Sequence, residues 1–166
     1  FWITNQQTMT SRNTMLTVFS KQTDQQFYMN QQRTQSAREY DANVLAPFKQ
    51  VLADAAPKKF IIVHLLGTHI NYQYRYPENW NKFSGKTDSM PAGLSKDQQD
   101  TYNNYDNANL YNDYIVSTLI KDYRATDPNG FLLYFSDHGE EVYDTPPHQT
   151  QGRNEQEPTR HMYTIP

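Results

Sequence analysis

Asp137 and His138 stand side by side and are followed by Gly139 and Glu140. A carboxylate beside an imidazole offers the oxygen and nitrogen donors that zinc and similar divalent ions take. Just before them, Gly130 opens an apolar run, Phe131 to Phe135, whose composition and polar borders predict a buried strand. In open α/β sheets ligands bind beyond the carboxyl ends of parallel strands, which is where this pair would lie. A polar strand-to-helix turn with Asp137 as a helix cap fits the same stretch equally well.

A second unit of the same kind favours the metal reading. Phe60 to Leu66 is an apolar, β-branched run that ends in Gly67-Thr68-His69. His64 falls within the strand it predicts, and a buried neutral imidazole is the expectation there. His69 falls past the strand's end, in a position matching that of Asp137 and His138. The five-residue spacing of the two histidines excludes the helical His-x-x-x-His zinc face. Arg75, between Tyr74 and Tyr76, suits bidentate binding of an anionic substrate; an arginine stacked between aromatics is the alternative.

The elements that must carry these residues read as follows. Phe1 to Thr4 looks like the end of a strand, and residues 8 to 35 like short helical turns and irregular structure. Between Tyr40 and Ala53, Val44, Leu45, Phe48, Val51 and Leu52 form a helix face, with Asp41 as its cap and Pro47 marking a kink or the first turn. Residues 77 to 101 read as a long surface excursion. A helix follows from about Tyr105 to Tyr123, with Ala108, Tyr111, Ile115 and Leu119 on one stripe, and Asp127-Pro128-Asn129-Gly130 turns the chain into the Phe131 run. Met162 to Ile165 suggests one more strand. Two helix-then-strand units in succession predict an α/β fold, a parallel sheet covered by helices.

Composition narrows the function. The 166 residues carry a net charge of −3, against nucleic-acid binding as the main task. There is no cysteine, which removes thiolate chemistry and disulfides. Mean hydropathy is −0.92, and no apolar run is long enough to span a bilayer.

Three blocks together resemble the phosphoethanolamine transferases of Gram-negative envelopes, in the alkaline phosphatase and sulfatase superfamily. They are His64-Leu65-Leu66-Gly67-Thr68-His69 with Tyr74-Arg75-Tyr76-Pro77, Tyr105-Asp106-Asn107 leading into Leu110-Tyr111-Asn112-Asp113-Tyr114, and Ser136-Asp137-His138-Gly139-Glu140. The likeness runs through nearly the whole chain and is greatest to the branch that modifies a heptose of the lipopolysaccharide inner core. Lipid A-modifying relatives carry Gly-Pro where this chain has Ile70-Asn71, and they carry disulfides.

The resemblance implies an α/β sandwich of the alkaline phosphatase and sulfatase type, present here as an incomplete sheet. It implies that residues 1–166 are the distal part of a periplasmic catalytic domain, with inner-membrane helices and a threonine nucleophile upstream. Phosphatidylethanolamine would be the donor and lipopolysaccharide the acceptor, with zinc or another divalent ion as cofactor. Asp137 and His138 would be metal ligands. His69 and His148 would act on the phosphoryl group in the same cleft, and Glu140 would orient a ligand. A phosphatase or sulfatase of the same superfamily and a non-catalytic binding module are the alternatives. Thr68 and Thr145 lie near the presumed ligands but match no nucleophile of the family.

Overall fold

Ile3 sits in the middle of three parallel strands, level with Phe27 on one side and Val63 on the other. The computed structural model describes residues 1–6, 15–32 and 34–165. Its elements, in chain order, are β1 (Trp2–Thr4), α1 (Met15–Ser20), β2 (Gln26–Tyr28), α2 (Leu45–Leu52), β3 (Ile62–His64), α3 (Lys96–Thr126), β4 (Glu141–Val142) and β5 (Gln151–Gly152). Short 3-10 turns punctuate the chain at Asp41–Val44, Tyr72–Tyr74, Glu78–Trp80 and Arg160–Met162. The sheet order is β2-β1-β3, and β4 and β5 form a separate antiparallel hairpin.

All three residues of β1 are buried, on both faces of the strand, as expected of the centre of a parallel sheet. The core combines Ile3 with Val44, Phe48, Val51 and Leu52 around α2, and with Ala108, Tyr111, Ile115 and Leu119 of α3. Every member of the α3 stripe read from the sequence is therefore buried. Pro47 stands in the first turn of α2, where its missing N–H costs nothing. Lys49 of α2 and Asp122 of α3 form an ion pair at 3.5 Å across the helix contact.

α3 begins nine residues earlier than its apolar stripe suggests. Ser95 Oγ accepts from the Gln98 amide and Gln98 Oε1 accepts from the Ser95 amide, a reciprocal capping box. The added turns are polar, and Asn103 in them and Asn107 just beyond them pin the preceding excursion. The Asn107 side chain accepts from the Lys82 and Phe83 amides and donates to Asn81 Oδ1 and Phe83 O, while Asn103 donates to Gly85 O. Met90 and Leu94 are buried. The segment expected to be a loose surface excursion is thus tied to the helix.

Several elements differ from expectation. Phe131 to Phe135 is not a strand and is exposed throughout, Phe131 at 88%. An apolar run becomes a strand only where a neighbour supplies ladder partners, and among the described residues none pairs with it. Asp41 caps no helix; its carboxylate points instead to the loop after β3. Met162 to Ile165 closes a 3-10 turn with Met162 buried, because the Arg160 carbonyl accepts from the amides of both Tyr163 and Thr164. In the 8–35 stretch α1 is a short helix and β2 is a strand that no apolar alternation announced; residues 7–14 and 33 lie outside the described residues.

Candidate metal and phosphoryl site

β3 ends at His64, whose carbonyl accepts from the Asn5 amide and whose ring meets Trp2 edge-on, centroids 6.0 Å apart. Desolvation lowers its pKa, against the pull of Asp137 and Asp41, and the residue is half-buried where the sequence led one to expect a buried one. Beyond it the chain turns at Gly67, whose φ of +59° strains any residue with a Cβ.

That turn is gripped from below. Asp41 Oδ1 accepts from the Leu66 amide at 3.0 Å and its Oδ2 from the Gly67 amide at 2.7 Å. Arg75 Nε donates to His69 O at 2.9 Å, and its Nη2 donates to Ile70 O at 2.6 Å and to the backbone and side-chain oxygens of Gln35. Arg75 is only 5% exposed. Its fork lies under the loop, not on a surface that an anionic substrate reaches, so the sequence expectation of a substrate contact is corrected. The arginine that stacks on an aromatic ring is Arg38, 5.2 Å from the Tyr74 centroid.

His69 itself faces solvent at the loop's outer side. Partial desolvation lowers its pKa, and the charges of Arg75 and His138 push the same way, against Asp137. A neutral ring here keeps a lone pair available to a metal or to a proton.

On the second loop, His138 Nδ1 lies 2.6 Å from Gly139 O, which fixes the tautomer with the proton on Nδ1 and the lone pair on Nε2. Nε2 is 3.9 Å from Asp137 Oδ1, and the Asp137 side chain is 85% exposed. Ser136 Oγ donates to His138 O. Gly139 is obligatory for a different reason: a Cβ there would sit 1.9 Å from the His161 carbonyl. Its amide donates to Met162 O, so the 3-10 turn at Arg160–Met162 backs the metal-competent pair.

Glu140 joins the two loops. Its Oε1 accepts from the Tyr72 hydroxyl at 2.5 Å, and its Oε2 stands 3.8 Å from His138 Nδ1. Desolvation raises the Glu140 pKa, while Tyr72 and His138 oppose the rise; burial and this same carboxylate drive the Tyr72 pKa far upward. The next residue, Glu141, is fully buried and accepts from Thr145 N, Thr145 Oγ1 and Thr159 Oγ1, fixing the start of the hairpin.

His148 stands apart from this group in its contacts. Its φ is +62°, its Nδ1 is 2.7 Å from Tyr143 O, and its carbonyl accepts from Gln98 Nε2, tying the hairpin to α3. The Nε2 atom is left as its available nitrogen.

The donors fit a divalent ion in part. Asp137 and His138 present an oxygen and a nitrogen toward each other, the donor types that zinc takes, and both act electrostatically on His69. Among the described residues, no three His, Asp or Glu side chains come close enough to complete a site. Sequence reasoning named His69, His148, Asp137, His138 and Glu140 as candidates, and the structure brings Asp137, His138 and Glu140 together on one loop. It missed Asp41, Tyr72 and Glu141, whose partners lie far along the chain or are hydroxyls without a motif.

Comparison with known proteins places the whole chain in context. Residues 1–166 match the sulfatase family. Over all 166 residues the chain is 83% identical to phosphoethanolamine transferase CptA of Salmonella typhimurium strain LT2 and 76% identical to phosphoethanolamine transferase EptC of Escherichia coli strain K12. It spans 29% of the length of each. The crystal structure of the C-terminal periplasmic domain of EcEptC from Escherichia coli in complex with Zn is similar with a TM-score of 0.93 at 76% identity, over 99% of this chain and 46% of that one.

Proposed function

The chain belongs to the sulfatase family, and from that premise we propose that it forms part of a metal-dependent transferase moving phosphoethanolamine from phosphatidylethanolamine to a heptose of the lipopolysaccharide core. The observation that carries this reading is the arrangement at the Asp137 loop. A tautomer-fixed His138 faces the Asp137 carboxylate, with His69 within their electrostatic reach. The high identity to two proteins named phosphoethanolamine transferases supports the reaction class. The likeness to a domain described as periplasmic supports a catalytic domain outside the inner membrane. Among the described residues no helix is long and apolar enough to cross a membrane.

The reaction divides into two displacements at phosphorus. A threonine oxygen forms a P–O bond as the diacylglycerol oxygen leaves; then a heptose hydroxyl forms a P–O bond as the threonine oxygen leaves. We assign the nucleophile to neither of the threonines beside the presumed ligands, Thr68 and Thr145, and Thr145 Oγ1 already donates to Glu141 Oε2. A zinc ion, held by Asp137 and His138 with donors beyond these residues, would supply positive charge to the phosphoryl oxygens and the attacking oxygen. Glu140, itself held by Tyr72, would help orient the His138 ring from its Nδ1 side, leaving Nε2 to bind the ion. His69, neutral at its lowered pKa, accepts or returns a proton at the phosphoryl group, and His148 is assigned the same side of the reaction through its free Nε2.

Mass spectrometry of lipopolysaccharide from cells with and without the intact gene tests this. The reading requires loss of a phosphoethanolamine mass from the core oligosaccharide. A loss from lipid A instead would move the acceptor to the sister branch, and no change in either would refute the transferase reading.

A further inference from the structure

We infer that Asp41 and Arg75 form a two-sided buried clamp whose task is to set the position of His69, making both positioning residues for the reaction. Its catalytic consequence rests on the transferase reading above, but its geometry does not. The loop Leu66–Ile70 has its amides and its carbonyls held from different sides. Asp41 takes the two amides at the start of the turn, those of Leu66 and Gly67. Arg75 takes the two carbonyls at its end, those of His69 and Ile70. Between them the backbone on both sides of Thr68 is fixed, and with it the Cα from which the His69 ring projects.

Each jaw is anchored in turn. Asn5, fully buried just beyond the carboxyl end of β1, donates to Asp41 Oδ1 at 2.8 Å and to Glu39 O at 2.8 Å. The Asn5 amide also holds the His64 carbonyl at the end of β3. Gln35 receives the remaining donations of Arg75 Nη2. Asp41 and Arg75 attract one another electrostatically, but desolvation outweighs this and leaves the Asp41 carboxyl raised and the Arg75 guanidinium lowered, so the hydrogen bonds carry the clamp. A buried ion pair replaceable by apolar residues would serve packing alone. Here each residue spends two hydrogen bonds on one short loop, the loop that carries a candidate catalytic histidine.

The chemistry selects the variants. Asp41→Asn keeps the size but turns one acceptor into a donor facing the loop amides. Arg75→Lys keeps the charge, but an ammonium lacks the planar fork that reaches His69 O, Ile70 O and Gln35 together. Leu119→Ala serves as control, since it weakens the core between α3 and the sheet without touching the loop. Two readouts are taken on the intact protein: steady-state phosphoethanolamine transfer per mole of folded enzyme, and the position of the His69 ring signal in the NMR spectrum.

The clamp predicts that Asp41→Asn and Arg75→Lys each lower kcat by about 10- to 100-fold, the scale of a misplaced reacting group, with KM for the donor lipid within about twofold. Both shift the His69 ring signal. Leu119→Ala lowers the melting temperature but leaves kcat and the His69 signal unchanged. If both clamp variants fold and keep wild-type kcat, or if the His69 signal stays in place in both, the clamp is wrong while the transferase reading stands. If the wild-type protein transfers no phosphoethanolamine, the transferase reading fails, and the His69 signal alone still decides the clamp. Should Asp41→Asn fail to fold, Arg75→Lys carries the same decision.

Discussion

Glu141 shows at the scale of one residue how a carboxylate can be committed to structure beside others that serve chemistry. It is fully buried, and burial alone would raise its pKa; the hydrogen bonds from Thr159 and Thr145 outweigh that and leave it lowered. A lowered folded-state pKa means that the unfolded chain takes up the proton first as pH falls. Stability from Glu141 is therefore complete above the unfolded value of about 4.3 and is lost as pH falls from there through the folded value. Urea unfolding in a pH series should show this decline below about pH 5, and Glu141→Gln should flatten it while lowering stability at neutral pH. The adjacent Glu140 behaves in the opposite way, raised by desolvation and bonded to Tyr72. Residue type alone could not separate the two neighbouring glutamates; only the family resemblance singled out Glu140, because their difference lies in which partners fold against them. His69, Asp137 and His138 were singled out as candidates from residue type and place after apolar runs, which are local properties. Asp41 was read as a helix cap, and no local pattern signals a carboxylate that reaches 25 residues ahead to two amides.

Among the elements, α3 does the most to position the site. Its stripe packs on α2 and the sheet, its polar first turns hold residues 81–85, and Gln98 holds the carbonyl of His148. Removing the cap with Ser95→Ala should cost about 1 kcal/mol, measured by denaturant unfolding. Ile115→Ala, at a completely buried position of the stripe, should cost about 2–5 kcal/mol by lost contact and cavity. Equal effects would mean that the first turns are as well packed as the core. The stripe was legible because period and burial coincide. The helix start was not, since a polar amphipathic turn carries no apolar period and only the Ser95–Gln98 box marks it. The run Phe131 to Phe135 misled for a complementary reason. Strand formation is decided by a neighbouring backbone, which composition does not encode.

For the whole molecule, the fold class was legible from linked motifs and from the α2-then-β3 unit, whereas the second helix-then-strand unit did not form and β2 was unannounced. What remained illegible was how many donors the chain brings together. No group of three His, Asp or Glu side chains converges among the described residues, so the 166-residue chain alone should bind zinc weakly. Calorimetric titration should show no tight one-to-one binding; a tight stoichiometric site would mean that the donor set is complete within these residues. The 166-residue chain should also release no product from phosphatidylethanolamine by itself, measured by lipid chromatography after long incubation. We propose above all that Asp137 and His138 hold the ion that makes phosphoethanolamine transfer possible. Its most direct test is transfer from phosphatidylethanolamine to purified lipopolysaccharide by the full-length protein, wild type beside Asp137→Ala, with bound zinc measured on both. Asp137→Ala should lose the zinc and the transfer together while remaining folded. Wild-type transfer by the folded Asp137→Ala protein would contradict it.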